Sequence, residues 1–448
     1  TNTTTDATNV KWVSLYGQNN RVDHCHFQNK RNMGTLLVVW LESGVAAYHR
    51  VDANYFTRPL THNNEENGQE VIRVGDSSTS MTDAYCVIEN NVFEQCNGEM
   101  EVISNKSCQN VYYNNVFVNC NGTLTLRHGK NCTVDGNYFF GTYTNSKTGG
   151  LRLIDSGHKA YNNYFQNLGG TNARAGLCLM NGLPDSPLSG YFPASNCIAA
   201  FNTFVNCKEA IHMGYDDGGN NTVVCENSLL ANNVVNNLSS TSSVKISSAG
   251  TGNTYSNNIF YNVSSVPSAF SGGYFNANPL LQQMTNTYNT YEPQSSSPLA
   301  STYKTNTIDD VTKDIKGKNR GTDKHPGCLQ IKDGMAKPLP TKQNIGVSWI
   351  NKENSEPLLD FENASYSEPS GAKKIIYTDD LVSYSNGLIT LNNNSFKGRI
   401  MAYTLLGVKL LDKKNTDSAV AINLPKGMYI VNLHTINQVH SQRLFVAK

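Results

Sequence analysis

An asparagine followed two residues later by a phenylalanine recurs along the first 260 residues, and this repeat constrains the fold more than any other feature. Full copies occur at Asn54/Phe56, Asn91/Phe93, Asn115/Phe117, Asn137/Phe139, Asn163/Phe165, Asn202/Phe204 and Asn258/Phe260, with degenerate copies at Cys25-His-Phe27 and Asn233-Val-Val235. The shortest spacings between copies, 22 to 26 residues, are those of one coil of a parallel β-helix, and longer spacings allow for corner loops. We therefore predict an all-β fold, a right-handed parallel β-helix. Its phenylalanines would stack inside, and its asparagines would occupy a turn that tolerates a left-handed backbone.

The composition limits the classes of function that are open to this chain. Its 448 residues have a net charge of +1, so there is no overall field to attract a polyanion, and we expect no nucleic-acid partner. An acidic substrate would have to be held by a local basic patch. No apolar run reaches the roughly 18 residues of a transmembrane helix, so we expect no membrane span.

Eleven cysteines are present, and their positions follow the repeat rather than the spacing of a zinc site. Cys96 and Cys120 each lie three residues after the phenylalanine of their copy, and Cys108 and Cys132 each lie fifteen after it. Equivalent positions on successive coils predict ladders of small buried side chains rather than disulfides.

We predict a catalytic β-helix domain over residues 1–347 and a polar linker over residues 348–373. The first coil, residues 9–27, has no polar cap before it, so we expect that N-terminal coils are missing from this sequence. Toward the end of the domain the repeat fades, and stretches such as residues 327–331 suggest strands of irregular final coils.

Residues 374–448 alternate short apolar stretches with Gly and Asn turns, which predicts a C-terminal β-sandwich. The stretches Tyr403-Thr-Leu-Leu-Gly407 and Leu424-Pro-Lys-Gly-Met-Tyr-Ile-Val431 resemble the sorting domain of the type IX secretion pathway. That resemblance implies a bacterial protein that is secreted or located at the cell surface or in the periplasm, with the secretion machinery as a partner. A carbohydrate-binding or spacer sandwich is the alternative.

Charged residues concentrate after one copy of the repeat. Glu99 and Glu101 lie six and eight residues after the phenylalanine of their coil, and Arg127 lies ten after that of the next coil. Because strand side chains alternate between faces, we expect both carboxylates on the solvent face of one strand, with Arg127 about 5 Å away on the neighbouring coil.

Three further residues fall close to one coil from this cluster. Lys106 precedes Arg127 by 21 residues, Arg152 follows it by 25, and Asn67 precedes Glu99 by 32, which is one enlarged coil. Two carboxylates and an amide oxygen form a hard oxygen site that suits Ca²⁺, and a lysine and two arginines would stand beside it. Such a set on one face is typical of a functional site rather than of a solvated strand.

Several stretches are similar to polysaccharide lyase family 6, which contains alginate lyases and the dermatan-cleaving chondroitinase B enzymes. The similarity covers about residues 9–345 and is carried by Asn67-Gly-Gln69-Glu70, Glu99-Met-Glu101-Val-Ile-Ser-Asn-Lys106, Thr125-Leu-Arg127-His128-Gly129 and Gly157-His158. The resemblance implies Lys106 as the catalytic base and Arg127 as the catalytic acid. It also implies Glu99, Glu101 and Asn67 as calcium ligands.

The chain departs from the family at one of these positions. The family pattern is Asn-Gly-Gly-Glu, whereas Gln69 stands here in place of the second glycine, so Gln69 is an alternative ligand to Asn67. We expect His128 to be a backup proton donor in contact with substrate, and Arg152 to pair with a substrate carboxylate in a neighbouring subsite.

The implied reaction is calcium-assisted β-elimination on a uronic-acid polymer by a monomeric enzyme. No Arg-Arg pair that would suit sulfate occurs in the chain, which favours alginate, and within alginate we expect cleavage at mannuronate. Alternatives are a dermatan sulfate lyase of the same family and a non-catalytic polysaccharide-binding adhesin. A β-helix hydrolase would need clustered aspartates, and Asp135 and Asp155 are isolated in the sequence.

Overall fold

The computed structural model describes residues 8–59, 67–238, 242–248, 250–331, 337–347, 374–377, 382–385, 388–391, 398–404, 409–415, 419–434 and 438–446. The chain divides into two compact units, Thr1–Ser365 and Tyr366–Lys448. The proposed linker, residues 348–373, lies outside the described residues. Within the described residues, no helix is both long enough and apolar enough to cross a bilayer.

Three parallel sheets run along the first unit, and each coil contributes one strand to each sheet, which confirms the β-helix. The first sheet consists of β1 (Val13–Leu15), β4 (Leu37–Val39), β7 (Ile72–Gly75), β10 (Glu101–Lys106), β13 (Thr123–His128), β16 (Leu151–Leu153), β19 (Leu177–Met180), β22 (Glu209–Tyr215) and β25 (Ser243–Ile246). The second consists of β2 (Arg21–Asp23), β5 (Arg50–Asp52), β8 (Val87–Glu89), β11 (Val111–Tyr113), β14 (Thr133–Asp135), β17 (Lys159–Tyr161), β20 (Ile198–Ala200), β23 (Leu229–Ala231) and β26 (Thr254–Ser256). The third consists of β3 (His26–Phe27), β6 (Tyr55–Arg58), β9 (Val92–Cys96), β12 (Val116–Val118), β15 (Tyr138–Phe140), β18 (Tyr164–Gln166), β21 (Thr203–Val205), β24 (Val234–Asn236), β27 (Asn258–Tyr261) and β28 (Tyr274–Asn276).

The phenylalanines of the repeat from Phe27 to Phe204 form a continuous stack in the interior, as predicted, and Val235 separates this stack from Phe260. The rings of Phe93 and Phe117 are 4.7 Å apart with an interplanar angle of 8°, and those of Phe117 and Phe139 are 4.7 Å apart at 5°. This spacing is that of neighbouring strands, so each coil that is added extends the stack by one ring. The cysteines are all free thiols, and all but Cys25 are buried, in agreement with the predicted ladders.

The asparagines of the repeat form a second buried ladder. The backbone N–H and the side-chain amide of Asn115 both donate to Oδ1 of Asn137 on the next coil, at 2.9 and 3.0 Å. The left-handed backbone conformation was expected at the repeat asparagine, but this was wrong by one residue. It occurs at the residue before it, as at Asn90 and Asn114. The repeat asparagine itself does not have a positive φ, and its side-chain amide reaches both neighbouring coils, as Asn115 also donates to the Ile88 carbonyl at 2.8 Å.

After β28 the chain leaves the solenoid and packs along the outside of the third sheet. It includes an antiparallel pair, β29 (Leu281–Gln283) and β30 (Tyr291–Pro293), and its apolar side chains Ile315, Cys328 and Leu329 are buried against the sheet. The strand expected at residues 327–331 was wrong: this stretch has no strand pairing, because its side chains cover the sheet rather than continue it. Short 3₁₀ helices occur at Ser77–Thr79, Asn172–Arg174 and Ser268–Phe270.

The second unit is a small β-sandwich, as expected. One sheet has the order β31 (Lys374–Tyr377), β38 (Gln438–Val446), β37 (Gly427–His434), β34 (Gly398–Thr404) and β35 (Lys409–Asn415). The other has the order β32 (Val382–Ser385), β33 (Leu388–Leu391) and β36 (Ala419–Ala421). Side chains from both sheets, including Val382, Ile389, Ile400 and Val431, form one core. The pair β31–β38 is parallel, and the described neighbours in the rest of the unit are antiparallel.

Candidate active site

Lys106 and Arg127 lie on adjacent strands of the first sheet, on the face that points away from the core. Lys106 is the last residue of β10 and lies opposite Gly75 of β7 on one side and His128 of β13 on the other. The register between β10 and β13 shifts after Asn105, so Arg127 is the additional residue of a bulge. The bulge brings two consecutive side chains, those of Arg127 and His128, to the position beside Lys106.

A buried amide and two glycines hold these strand ends together. The side-chain amide of Asn105 donates to the carbonyls of Ser107 at 2.8 Å and His128 at 2.9 Å, so it links the two strands from inside the coil. Gly75 and Gly129 have φ values of +79° and +85°, and a Cβ at either position would lie 2.5 Å or less from a backbone oxygen of the β10 segment. Glycine is therefore required at both positions for the coils to approach this closely.

Arg127 is largely enclosed by the loop that connects β19 and β20. Its guanidinium donates to the Gly190 carbonyl at 2.5 Å and lies 3.8 Å from the ring centroid of Tyr191. Its Nε is 3.8 Å from Oε1 of Glu101. Burial lowers the pKa of this guanidinium, although Tyr191 and Glu101 oppose the shift.

Arg152 binds Glu101 rather than projecting freely into a cleft. Its Nη2 donates to Oε1 of Glu101 at 2.6 Å, and its side chain is only 3% exposed. Counting one coil from Arg127 misplaces this residue, since the strand register sets Arg152 opposite Thr125. The 25 residues between Arg127 and Arg152 do not correspond to one coil, because the bulge at Arg127 and the loop before β16 change the number of residues between equivalent positions.

Glu99 and Glu101 lie together, but the expectation that both stand on the solvent face of one strand was wrong. The strand begins only at Glu101, a register shift follows at Val102, and both glutamates are buried. Burial, together with the charges of Glu70 and Glu101, raises the pKa of Glu99 to about 8, although the backbone N–H groups of Gln69 and Gly68 oppose the shift. The site therefore contains negative charge that the surrounding protein does not fully compensate.

The turn at residues 67–69 completes this acidic cluster. The backbone N–H of Gln69 donates to Oε2 of Glu99 at 2.9 Å, which fixes the turn against the carboxylate. The side chain of Asn67 is exposed, whereas both polar atoms of the Gln69 amide are buried and have no hydrogen-bond partner. Carboxylate and amide oxygens are the donor type that suits a hard divalent cation such as Ca²⁺. Among the residues that the structure describes, no three or more His, Cys, Asp or Glu side chains are grouped so as to hold a metal ion, so a cation here would depend on the amide as well as on Glu99 and Glu101.

His128 lies beside Lys106, but it is not suited to act as a cationic acid. Burial, together with the neighbouring charges of Arg127 and Lys106, lowers the pKa of this imidazole to about 3. The imidazole is therefore neutral at ordinary pH, and its Nδ1 lies 3.4 Å from Nη1 of Arg127. We infer that it orients the neighbouring guanidinium or a substrate hydroxyl.

The structure adds four residues that sequence patterns did not identify as part of this site. Tyr191 reaches Arg127 from an insertion loop, and no repeat offset could place it. Glu70 adds a third buried carboxylate, and Arg58, fully buried below the cluster, has its pKa lowered by burial to about 10. Asn105 is fully buried between Val74 and Leu126 of the neighbouring strands, and a polar residue in this apolar column is a signal that could have identified it.

Comparison with protein families matches residues 1–230 to the chondroitinase B family. Comparison with curated proteins gives no match.

Solved structures similar to this chain include that of the PL6 family alginate lyase AlyGC, at 30% identity and a TM-score of 0.64. That match covers 83% of this chain and 45% of AlyGC, so this chain spans less than half the length of that enzyme. A mannuronic acid specific family 6 lyase from human gut microbiota is similar at 33% identity and a TM-score of 0.53, with 59% of this chain and 60% of that chain covered. A PL6 family polysaccharide lyase from Pseudopedobacter saltans is similar at 26% identity and a TM-score of 0.50, with 61% and 70% covered.

Proposed function

This chain belongs to the chondroitinase B family, and from that premise we propose that it is a polysaccharide lyase that cleaves alginate at mannuronate by β-elimination. The observation that supports the proposal most directly is the pairing of Lys106 with the Arg127–His128 bulge, next to a buried acidic cluster. A non-catalytic adhesin has no need of this arrangement.

In the proposed reaction Lys106 removes the C5 proton of a uronate residue. Its position at the end of β10, braced by Asn105 beneath the sheet, keeps the amine on the outer face. The Arg127 guanidinium lies beside it and would stabilise the charge that develops on the departing O4, while solvent supplies the proton to that oxygen. The neutral imidazole of His128 accepts or donates a single hydrogen bond at this point without adding charge.

We propose Ca²⁺ as the cofactor, bound by Glu99, Glu101 and an amide oxygen from the turn that contains Asn67 and Gln69. When bound, the ion would neutralise the substrate carboxylate and so make the C5 proton more acidic. Arg152 holds Glu101 in place, and we propose that it contributes to substrate binding through this contact and through its own charge.

The substrate is tested by incubating the protein with polymannuronate, polyguluronate and dermatan sulfate in parallel. A lyase releases a product whose unsaturated terminal sugar absorbs in the ultraviolet, whereas a hydrolase yields only reducing ends. We expect the fastest rise in absorbance with polymannuronate. Absorbing product from dermatan sulfate alone would replace alginate with the second candidate, which the match to the chondroitinase B family favours.

We further propose that the protein is secreted or located at the cell surface or in the periplasm of a bacterium. The sandwich topology of the second unit and the two short motifs within it support a role as a sorting domain for secretion. We also propose that it acts as a monomer.

A further inference from the structure

Two aromatic side chains and an arginine form a surface patch on the same outer face, on the N-terminal side of the candidate active site. We call Tyr16, Trp40 and Arg73 the aromatic patch. The rings of Tyr16 and Trp40 are stacked, with centroids 6.2 Å apart and planes at 14°. The guanidinium of Arg73 lies 5.0 Å from the centroid of the Trp40 ring.

The strand register places this patch in line with the proposed catalytic lysine. Leu15, Val39 and Val74 are consecutive partners in the first sheet, so the residues that follow them, Tyr16, Trp40 and Gly75, continue the same row. Gly75 is the direct partner of Lys106. With strands about 4.8 Å apart, Trp40 lies two strands, or about 10 Å, from the Lys106 position.

The row contains an open position between the aromatic patch and the lysine. Gly75 has no side chain, and the required approach of its Cα to the Lys106 carbonyl excludes one. The acidic residue that follows, Asp76, has its Oδ1 engaged by the backbone N–H groups of Ser78 and Thr79. A chain lying along the row would therefore meet no side chain at position 75, and the adjacent carboxylate is held in place by its own turn.

The chemistry of the patch matches one class of ligand. Tyr16 is 64% exposed although aromatic side chains are usually buried, and an exposed flat ring offers an apolar surface to the C–H face of a sugar. Arg73 contributes a positive charge at the same place, and its Nε is buried without a hydrogen-bond partner. Stacked rings next to a guanidinium suit a pyranose that carries a carboxylate.

We propose that Tyr16, Trp40 and Arg73 form a distal subsite that binds a uronate residue of the polysaccharide about two sugar units from the bond that is cleaved. This inference rests on the proposed function, because the occupant is the same acidic polymer. The subsite makes the enzyme favour long chains over short oligomers.

The test is a length series of oligouronates, from trimer to octamer, with Trp40→Ala, Arg73→Ala and the wild-type protein. We expect kcat/KM of both variants to match the wild type on the shortest substrates and to fall about tenfold once the substrate is long enough to reach the patch. Tyr48→Ala serves as the matched control, because Tyr48 stacks on Tyr85 with centroids 5.4 Å apart and precedes a strand of the second sheet rather than the row of Lys106. An equal loss at every length, or none at any length, would overturn the subsite.

A binding experiment separates this inference from the proposed function. In the Lys106→Ala background, affinity for intact polymannuronate is measured by calorimetry with and without Trp40→Ala. Weaker binding in the double variant supports the subsite even if the wild-type protein releases no unsaturated product. Unchanged binding overturns the subsite and leaves the lyase proposal standing.

Discussion

Two strands of the first sheet, β10 and β22, have the same backbone irregularity, but different side chains surround it in the two places. Each begins with a buried glutamate, Glu101 or Glu209, and each shows a register shift before an inward-facing isoleucine. The strand pairing makes Ile103 and Ile211 equivalent, four coils apart. The two glutamates therefore occupy corresponding places in the solenoid.

The difference lies in the carboxylates around these two residues, since Glu101 is itself paired with Arg152 at 2.6 Å but lies beside the second glutamate Glu99. Glu209 accepts hydrogen bonds from Nδ1 of His212 at 2.6 Å and the backbone N–H of Asn172 at 2.8 Å, and it forms an ion pair with Lys245 at 2.5 Å. Burial alone would raise the pKa of Glu209, but the hydrogen bonds of His212 and Lys245 outweigh it, and the pKa is lowered. In the β10 cluster the pKa of Glu99 is instead raised to about 8.

This contrast shows that the β10 cluster, unlike the β22 cluster, contains buried carboxylates whose mutual repulsion is unfavourable. In the β22 cluster, cationic and N–H groups of the protein pair with the carboxylate. In the β10 cluster, like charges lie close together, and an added cation would stabilise them. A buried carboxylate alone therefore does not identify a functional site in this fold. The balance of its neighbours does.

The largest expected effect is on turnover at the β10 site. Lys106→Met removes the proposed base, and we expect the rate of unsaturated-product formation to fall about 10³-fold, within the range for loss of a general base. Lys245→Met, which removes the lysine beside Glu209, serves as the matched control and should change the rate less than threefold. A Lys106→Met enzyme that keeps a substantial fraction of the wild-type rate would rule out this base.

The second-largest effect is that two isosteric substitutions, one in each cluster, should affect different properties: one lowers activity and the other lowers stability. Glu101→Gln should lower kcat/KM about 100-fold by weakening the proposed calcium site and the contact with Arg152. Glu209→Gln should instead cost about 2 kcal/mol of unfolding free energy, because it weakens hydrogen bonds to a buried charged group, with little change in kcat/KM. Urea unfolding and steady-state kinetics on both variants measure the two effects, and a common pattern in both would show that the clusters do not differ.

A smaller effect concerns the pH dependence of stability without metal. The folded pKa of Glu99, about 8, lies above its ordinary value, so between about pH 5 and 8 the folded state binds more protons than the unfolded state. In the presence of chelator we therefore expect stability to fall as the pH rises through this window, by at most about 1.4 kcal/mol per pH unit. Calcium should reduce the decline, and so should Glu99→Gln, whereas Glu209→Gln should retain it. A flat profile for the chelated wild-type protein would contradict the raised pKa.

Sequence patterns predicted the fold, and they predicted which charged residues lie close together, because the phenylalanine spacing is set by coil length. Stacked rings need one phenylalanine per coil, and this requirement is visible in the sequence as a fixed offset from asparagine. Register within a sheet is not visible in the same way. The bulge at Arg127 adds one residue without any apolar signature, so Arg152 was assigned to the wrong row.

Two other errors have related physical causes. Residues 327–331 have the apolar content of a strand, but they are buried because they cover the third sheet. A segment that packs on a sheet and a strand within a sheet need the same apolar residue types, so the sequence does not distinguish them. The charge of Glu70 and the loop contact of Tyr191 depend on chain segments that meet only in the folded solenoid.

The smallest expected effect distinguishes the two amides of the turn next to Glu99. Gln69→Ala removes an amide that is buried without a hydrogen-bond partner, and Asn67→Ala removes one that is exposed. An unpaired buried amide oxygen is costly unless it binds something, so we expect Gln69→Ala to weaken calcium binding about tenfold, measured by calorimetry, and Asn67→Ala to weaken it less. The reverse order would assign the ligand to Asn67, as the family pattern implies, and would leave the buried amide of Gln69 as a packing group. Equal and negligible effects would mean that the two glutamates bind the ion without help from this turn, and the β10 cluster would then differ from the β22 cluster in charge balance alone.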